Sequence, residues 1–171
     1  MLEFIEKLAR SAGQKALSHF GKLRQEDISS KEVKNDFVTQ VDIEVEKFIA
    51  EGIANRFPDH TIFGEEFGIR GKDPDHLWLV DPIDGTTNFI HSHPFFCTSI
   101  AYCEKGVLRT AAIYAPYLNE LFLAERGKGA FLNGQKIAVS SCPQLGDALL
   151  ATGFICLRSG EESLNPEIFK Q

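Results

Sequence analysis

Apolar residues recur at helical spacing near the start of the chain. Ile5, Leu8, Ala9, Ala12, Ala16 and Phe20 fall on one face of a helix predicted from Leu2 to Phe20, with Gly21 as its stop. Lys22 to Asp36 has no period and reads as a loop or a mobile hairpin. A second helix opens on Thr39-Gln40-Val41-Asp42, which has the pattern of a capping box. Its stripe is Val41, Val45, Phe48, Ile49, Ile53 and Phe57, and Pro58-Asp59 ends it. The pattern then shortens to that of strands. His60 to Phe63 runs into Gly64-Glu65-Glu66, and Leu77 to Val80 is a continuous apolar run that stops at Asp81-Pro82. Cys97 to Tyr102, Val107 to Tyr114 and Glu120 to Ala124 are strand-like, separated by turns with Gly106, Pro116 and Asn119. Gly127 to Val139 predicts a hairpin about Asn133-Gly134, and Ala148 to Thr152 is one more apolar run. Two helices followed by meandering strands predict an α+β layered domain with a mainly antiparallel sheet. No repeat or low-complexity segment interrupts it.

Composition narrows the function classes. The 171 residues include 43% hydrophobic and 25% charged residues, ordinary for a soluble globular protein. A chain of this length buries about 70% of its unfolded surface, so a real core is expected. The net charge of −6 comes with no block of Lys or Arg, which argues against a nucleic-acid partner. It also means that an anionic substrate is repelled unless a bound cation reverses the field locally. Cys97, Cys103, Cys142 and Cys156 form no C-x-x-C pair and no zinc spacing. With no signal peptide, they read as buried reduced thiols of a cytoplasmic protein. No apolar run is long enough for a bilayer, so no membrane partner is expected. The 14 phenylalanines read as core.

Three acidic clusters stand out: Asp36 with Asp42, Glu65 with Glu66, and Asp81 with Asp84. Each has a plain structural reading as cap or turn chemistry. The segment from Leu79 to Phe89 is more specific. A buried strand feeds Asp81-Pro82-Ile83-Asp84-Gly85-Thr86-Thr87-Asn88-Phe89, and Pro82 fixes the backbone just past its end. Asp81 and Asp84 can converge across a turn with the Ile83 carbonyl between them, a set of hard oxygen ligands that suits Mg²⁺ and disfavours zinc. Glu65 can add a carboxylate from a neighbouring strand. If that strand continues, Glu65 and Glu66 point to opposite faces, one a ligand and the other a neighbour. Gly85-Thr86-Thr87 begins a helical turn. The N–H groups of Gly85 and Thr86 there can hold phosphate oxygens. A cation site beside an anion site suits phosphate ester hydrolysis with two metals about 3.5–4 Å apart. Asp81 is the candidate bridge between them.

The stretch Asp81 to Phe89, DPIDGTTNF, resembles the first diagnostic motif of the inositol monophosphatase family. Lys34 to Asp42, KNDFVTQVD, resembles the family's upstream segment, and Gly64-Glu65-Glu66 its G-E-E segment. Gly127 to Gly134, GKGAFLNG, resembles its hairpin, and Ala151-Thr152-Gly153-Phe154 a later strand. The matches run in order along nearly the whole chain. The resemblance implies the layered helix–sheet sandwich of the inositol monophosphatase and sugar phosphatase type. It implies a Mg²⁺-dependent phosphomonoesterase acting on inositol monophosphate or a related sugar phosphate, a small-molecule substrate, and a homodimer. Glu65, Asp81, the Ile83 carbonyl and Thr86 would hold a first Mg²⁺, and Asp81 with Asp84 a second. Thr86 with Asp42 would orient and deprotonate the attacking water. Asp84, Gly85 and Thr86 would meet the substrate phosphate. Glu66 would lie behind the ligands or contact a third, weaker metal, and Lys34 sits on a loop that can approach the metals. The Thr-Thr-Asn form resembles inositol monophosphatases more than fructose bisphosphatases or nucleotide-bisphosphate phosphatases.

One departure is plain. The family's second motif, of the form W-D-x-A-A-G, is absent, and the sole tryptophan, Trp78, lies in the strand before Asp81. Residues 1–171 therefore read as the metal- and phosphate-binding N-terminal part, incomplete at the C-terminus, with one sheet edge and one apolar face expected to lack cover. Two other signals are weaker. His91-Ser92-His93 is read as a loop near the site mouth rather than a metal pair. Ser140-Ser141-Cys142 lacks the form of a nucleophile motif. The competing functions are a fructose-1,6-bisphosphatase or nucleotide-bisphosphate phosphatase of the same fold, and a non-catalytic binding protein that keeps the fold.

Overall fold

The computed structural model describes residues 1–30 and 37–150. Lys34, Asp36, Cys156 and the segment Ala151 to Phe154 lie outside the described residues. Helix α1 spans Leu2–His19 and buries Ile5, Leu8, Ala9, Ala12 and Ala16, the face that the periodicity predicts. Its small residues let it lie close on the sheet: a Cβ on Gly13 would stand 2.5 Å from a Tyr114 ring carbon. Strand β1 (Ile28–Ser30), inside the segment without periodicity, pairs antiparallel with β2 (Phe37–Thr39), which lies just past it.

Thr39 then caps α2 (Gln40–Arg56) through the expected capping box. The Thr39 side chain accepts from the Val41 and Asp42 amides, and Asp42 at the third helical position accepts from the Thr39 N–H at 2.8 Å. Val41, Val45, Ile49 and Ile53 are buried, whereas Phe48, read as part of the stripe, lies at the edge of it and is exposed.

An eight-stranded sheet follows, built from β3 (His60–Gly64), β4 (Gly68–Arg70), β5 (Asp73–Asp84), β6 (Cys97–Glu104), β7 (Val107–Ala115), β8 (Glu120–Glu125), β9 (Gly129–Leu132) and β10 (Gln135–Ile137). A short helix α3 (Thr86–Ile90) sits between β5 and β6. The spatial order is β10-β9-β8-β7-β6-β5-β3-β4. From β5 to β10 the sheet is an antiparallel meander, and β3 joins it parallel to β5. The β9–β10 hairpin turns at Asn133-Gly134, both with positive φ (48° and 81°), as a two-residue turn of this sequence requires. Strand β5 does not stop at Asp81 as the apolar run suggests. It continues to Asp84, because the ladder to β6 resumes at Asp84↔Cys97 after an irregularity. The run from Ala148 forms no strand over its described part: Leu149 and Leu150 follow a 3₁₀ turn at Leu145–Asp147 and are exposed.

The core lies between one face of the sheet and the two long helices. Trp78, Val80, Ile100, Ala112, Tyr114 and Leu121 project into it against Ile5, Ala12, Val45 and Ile49. The opposite face carries Phe63, Ile113 and Phe122, which are 48%, 42% and 36% exposed, so several phenylalanines read as core are not buried. The sheet edges are three-residue strands, too short to offer much of a pairing template. The thiols also divide. Cys103 is buried, Cys97 is half-buried and Cys142 is exposed, against the expectation of uniform burial.

The two faces give opposite expectations for substitution. Ile49→Ala, at a fully buried site, is expected to cost about 2–5 kcal/mol in urea unfolding. Ile113→Ser, on the open face, is expected to cost about 1 kcal/mol or less and to lower self-association in sedimentation velocity.

Candidate metal and phosphate site

Two features of the ladder bring the acidic residues together. Strands β3 and β5 run parallel in the register Gly64↔Val80, so the residues that follow each, Glu65 and Asp81, emerge side by side. The Glu65 N–H donates to the Val80 carbonyl at 3.1 Å, extending the pairing one step. The second feature is the irregularity in β5. Residues three apart on a regular strand face opposite sides. Here Asp81 pairs with Ser99 and Asp84 with Cys97, so one extra residue on β5 is accommodated and both carboxylates fall on the same face. That face is the one opposite the helices. The bulge is held in place: Thr98 Oγ1, buried, donates to the Pro82 carbonyl at 2.9 Å.

Gly85 follows at φ 91°, a left-handed conformation in which a Cβ would lie 3.0 Å from the Phe95 carbonyl oxygen, so glycine is required. It caps α3, and the Gly85 carbonyl accepts from the Phe89 N–H at 3.0 Å. Thr86 Oγ1 lies 3.0 Å from the Ile83 carbonyl and 3.2 Å from Asp42 Oδ1. One hydroxyl proton serves two acceptors, so the donation alternates between them. Asp42, on α2, is fully buried. Its Oδ2 accepts from both the Thr39 N–H and the Thr39 hydroxyl, at 2.8 and 2.5 Å.

The electrostatics are those of crowded carboxylates. Burial, then the neighbouring Glu65 and Asp84, push Asp81 up to about 8. Its Oδ1 is buried and has no hydrogen-bond partner. Burial also raises Asp42, opposed by the hydrogen bonds from Thr39 and Thr86. Cys97 Sγ lies 3.6 Å from Asp84 Oδ2, and burial with the Asp84 charge pushes that thiol up to about 12, so it stays protonated. Among the described residues no three His, Cys, Asp or Glu side chains are drawn up as a ready-made metal cage. The orphaned Asp81 oxygen and an all-oxygen donor set (Glu65, Asp81, the Ile83 carbonyl, Asp84, Thr86) nonetheless fit a hard divalent cation.

The site opens on two shallow clefts. One, of about 300 Å³, includes Glu65, Asp81 and Ser99 in its lining. The other, of about 350 Å³, includes Asp84, Gly85, Asn88 and Cys97. A larger cleft of about 520 Å³ lies between α2 and the β3–β4 hairpin, away from these acids, so volume does not locate the chemistry. Glu65 and Glu66 do not alternate on a continuing strand as anticipated. Strand β3 ends at Gly64, and the two glutamates occupy a turn, Glu65 exposed and Glu66 half-buried. His91, Ser92 and His93 form an exposed loop after α3.

Sequence reasoning missed Glu46, which is 2% exposed on α2 and accepts from the Glu66 and Phe67 amides at 2.7 and 3.0 Å. The signal was present: Glu46 lies four residues after Asp42 and beside Val45, inside the buried stripe.

Asp81 supplies a test of this electrostatic picture. Its folded-state value is raised, so ionisation opposes folding. Stability should fall as pH rises through the window from about 4, where the unfolded carboxyl ionises, to about 8. In EDTA, the metal-free Asp81→Asn variant is expected to lack this decline and to melt roughly a few degrees above the unaltered chain at pH 8. Parallel melting curves across that window contradict the assignment.

Comparisons with known proteins identify the family and the fold. The family model described as the Inositol monophosphatase family matches residues 1–170. A Thermotoga maritima fructose-1,6-bisphosphatase/inositol-1-monophosphatase is 42% identical over 152 residues, covering 89% of this chain and 58% of that protein. The Escherichia coli (strain K12) Nus factor SuhB is 43% identical over 155 residues, covering 90% and 58%. Among solved structures, a Thermotoga maritima IMPase superposes with a TM-score of 0.77 at 40% identity, covering 82% of this chain and 54% of that one. The chain thus spans a little over half the length of the curated relatives it matches. On the profile match, the identities and the shared α+β fold, the chain belongs to the inositol monophosphatase family.

Proposed function

We propose that residues 1–171 form the metal- and phosphate-binding domain of a Mg²⁺-dependent phosphomonoesterase that hydrolyses inositol monophosphate or a related sugar phosphate. The observation that carries this reading is the convergence of Glu65, Asp81 and Asp84, produced by one parallel register and one bulge. Glu65, Asp81, the Ile83 carbonyl and Thr86 would hold one Mg²⁺, and Asp81 with Asp84 a second. Bound there, the cations supply positive charge for the phosphoryl oxygens and for activating water.

The chain's own residues supply the rest. Asp84 and the backbone at Gly85 and Thr86 face the substrate phosphate, and the left-handed Gly85 sets the turn that presents those amides while packing against the Phe95 backbone. The Thr86 hydroxyl, bonded to Asp42 Oδ1, orients the attacking water, and the buried Asp42 carboxylate receives its proton through Thr86. Among the described residues no helix is long and apolar enough to cross a membrane. We place the protein in the cytoplasm, as a homodimer by family resemblance, acting on a small molecule rather than nucleic acid. Because the chain covers 58% of the Thermotoga relative, catalysis is assigned to the longer protein. That relative's name also supports the fructose-1,6-bisphosphatase alternative.

A second reading, a binding protein acting through partners, is favoured by the relatives named Nus factor SuhB. Replacement of Asp84 separates the two. In the full-length parent, Asp84→Asn is expected to remove Mg²⁺-dependent phosphate release from inositol monophosphate and to leave any partner binding intact. The 171 residues alone are expected to show little turnover. Undiminished phosphate release by Asp84→Asn, or robust turnover by the isolated chain, contradicts this site assignment.

A further inference from the structure

Helix α2 places two buried carboxylates one turn apart on one face, Asp42 and Glu46, 0% and 2% exposed. Asp42 reaches the Asp81–Thr86 segment through the Thr86 hydroxyl. Glu46 reaches the other ligand-bearing segment. Its Oε2 accepts from the Glu66 N–H at 2.7 Å and its Oε1 from the Phe67 N–H at 3.0 Å. The contact is close enough to fix the preceding residue as well, since a Cβ on Gly64 would overlap the Glu46 carboxylate, about 2.0 Å from Oε1.

Burying a carboxylate is costly unless it accepts strong hydrogen bonds, and charge-assisted bonds from backbone amides are of that kind. Two adjacent amides pulled onto one carboxylate turn the chain sharply just after β3, and Glu65 is the first residue of that turn. We propose that Glu46 is a positioning residue for the metal site: it anchors the Gly64–Phe67 turn to α2 and so fixes where Glu65 presents its carboxylate. This rests on the reading of Glu65 as a metal ligand. Helix α2 thereby sets the separation of the two ligand segments, Asp42 holding one and Glu46 the other.

The substitution that tests it is Glu46→Gln. It keeps the volume, but a carboxamide offers one acceptor oxygen where two N–H donors need acceptors, and its NH₂ group opposes the second. With Mn²⁺ as probe and the full 171-residue chain, titration calorimetry is expected to show affinity reduced about tenfold or more. Hydrogen exchange at the Glu66 and Phe67 amides is expected to accelerate, with the helical circular dichroism unchanged. Gly64→Ala intrudes on the same contact from the other side and is expected to give the same loss. It also serves if Glu46→Gln fails to fold. Ile49→Val, a conservative core change one turn further along α2, controls for a general loss of stability and is expected to leave Mn²⁺ affinity in place. Unaltered Mn²⁺ affinity in Glu46→Gln or Gly64→Ala, while the parent chain binds Mn²⁺, overturns the role of Glu46 and leaves the metal reading standing. An equal loss in Ile49→Val also overturns it. No Mn²⁺ binding by the parent chain overturns both.

Discussion

The site depends on a single parallel register in an otherwise antiparallel sheet. With Gly64 opposite Val80, the chain leaves β3 and β5 at the same end of the sheet, and Glu65 and Asp81 become neighbours without any long-range loop to bring them there. A shift of one residue would carry every side chain of β3 to the other face. That shift is resisted from the core side, where Ile62 of β3 and Trp78 of β5, directly opposite each other, are both buried. Packing on the helical side of the sheet therefore holds the geometry of the acids beyond its end. The bulge does the rest by turning a three-residue spacing into a same-face pair.

The arrangement concentrates negative charge at a cost in stability that the fold carries before any cation arrives. Asp81 is raised because ionising it beside Glu65 and Asp84, partly out of water, is unfavourable. The surrounding structure absorbs this by hydrogen bonds that are not among the ligands: Thr39 to Asp42, Thr98 to Pro82, and two backbone amides to Glu46. The bonds to Pro82 and from the Glu66 and Phe67 amides tie the acid-bearing segments to β6 and α2, while the Thr39 bond holds Asp42 at the start of that helix. On the reading proposed above, a hard divalent cation would meet donors held near one another by these bonds, which would lower the ordering cost of binding.

Much of this was legible in the sequence, and the reasons differ by element. The two helices were readable because their apolar stripes have the helical period and Thr39 and Asp42 occupy the two ends of a capping box. The hairpin at Asn133-Gly134 was readable because few dipeptides suit two positive φ values in succession. Asp81, Asp84 and Glu65 were readable as a candidate group because a buried strand feeds a turn that carries two aspartates, whereas the role of Asp42 came only through family resemblance, since a capping residue has an ordinary explanation alone. The continuation of β5 through Asp81-Pro82 was hidden because proline and aspartate usually end a strand, and here a bulge lets the ladder resume. An uncovered apolar face was expected, but that Phe63, Ile113 and Phe122 lie on it was hidden, because alternation shows that a strand has two faces, not which of them is covered. Glu46 was hidden because a glutamate in a helix normally reads as solvated surface.

The face that bears Asp81 and Asp84 is also the face that bears the exposed apolar residues. Asp81 is cross-strand from Ser99, which pairs with Ile113, which in turn pairs with Phe122. Carboxylates at the rim of an apolar sheet face sit where water is easily excluded, and the energy of a charge there is sensitive to cover. Covering the face would deepen the desolvation that already raises Asp81, which opposes closure in the absence of a cation. With a divalent cation in place the same cover strengthens attraction among the ion, the carboxylates and a phosphate, because the local dielectric falls. The open sheet face and the acids at its rim are therefore one continuous surface, on which exposed apolar side chains and charge adjoin.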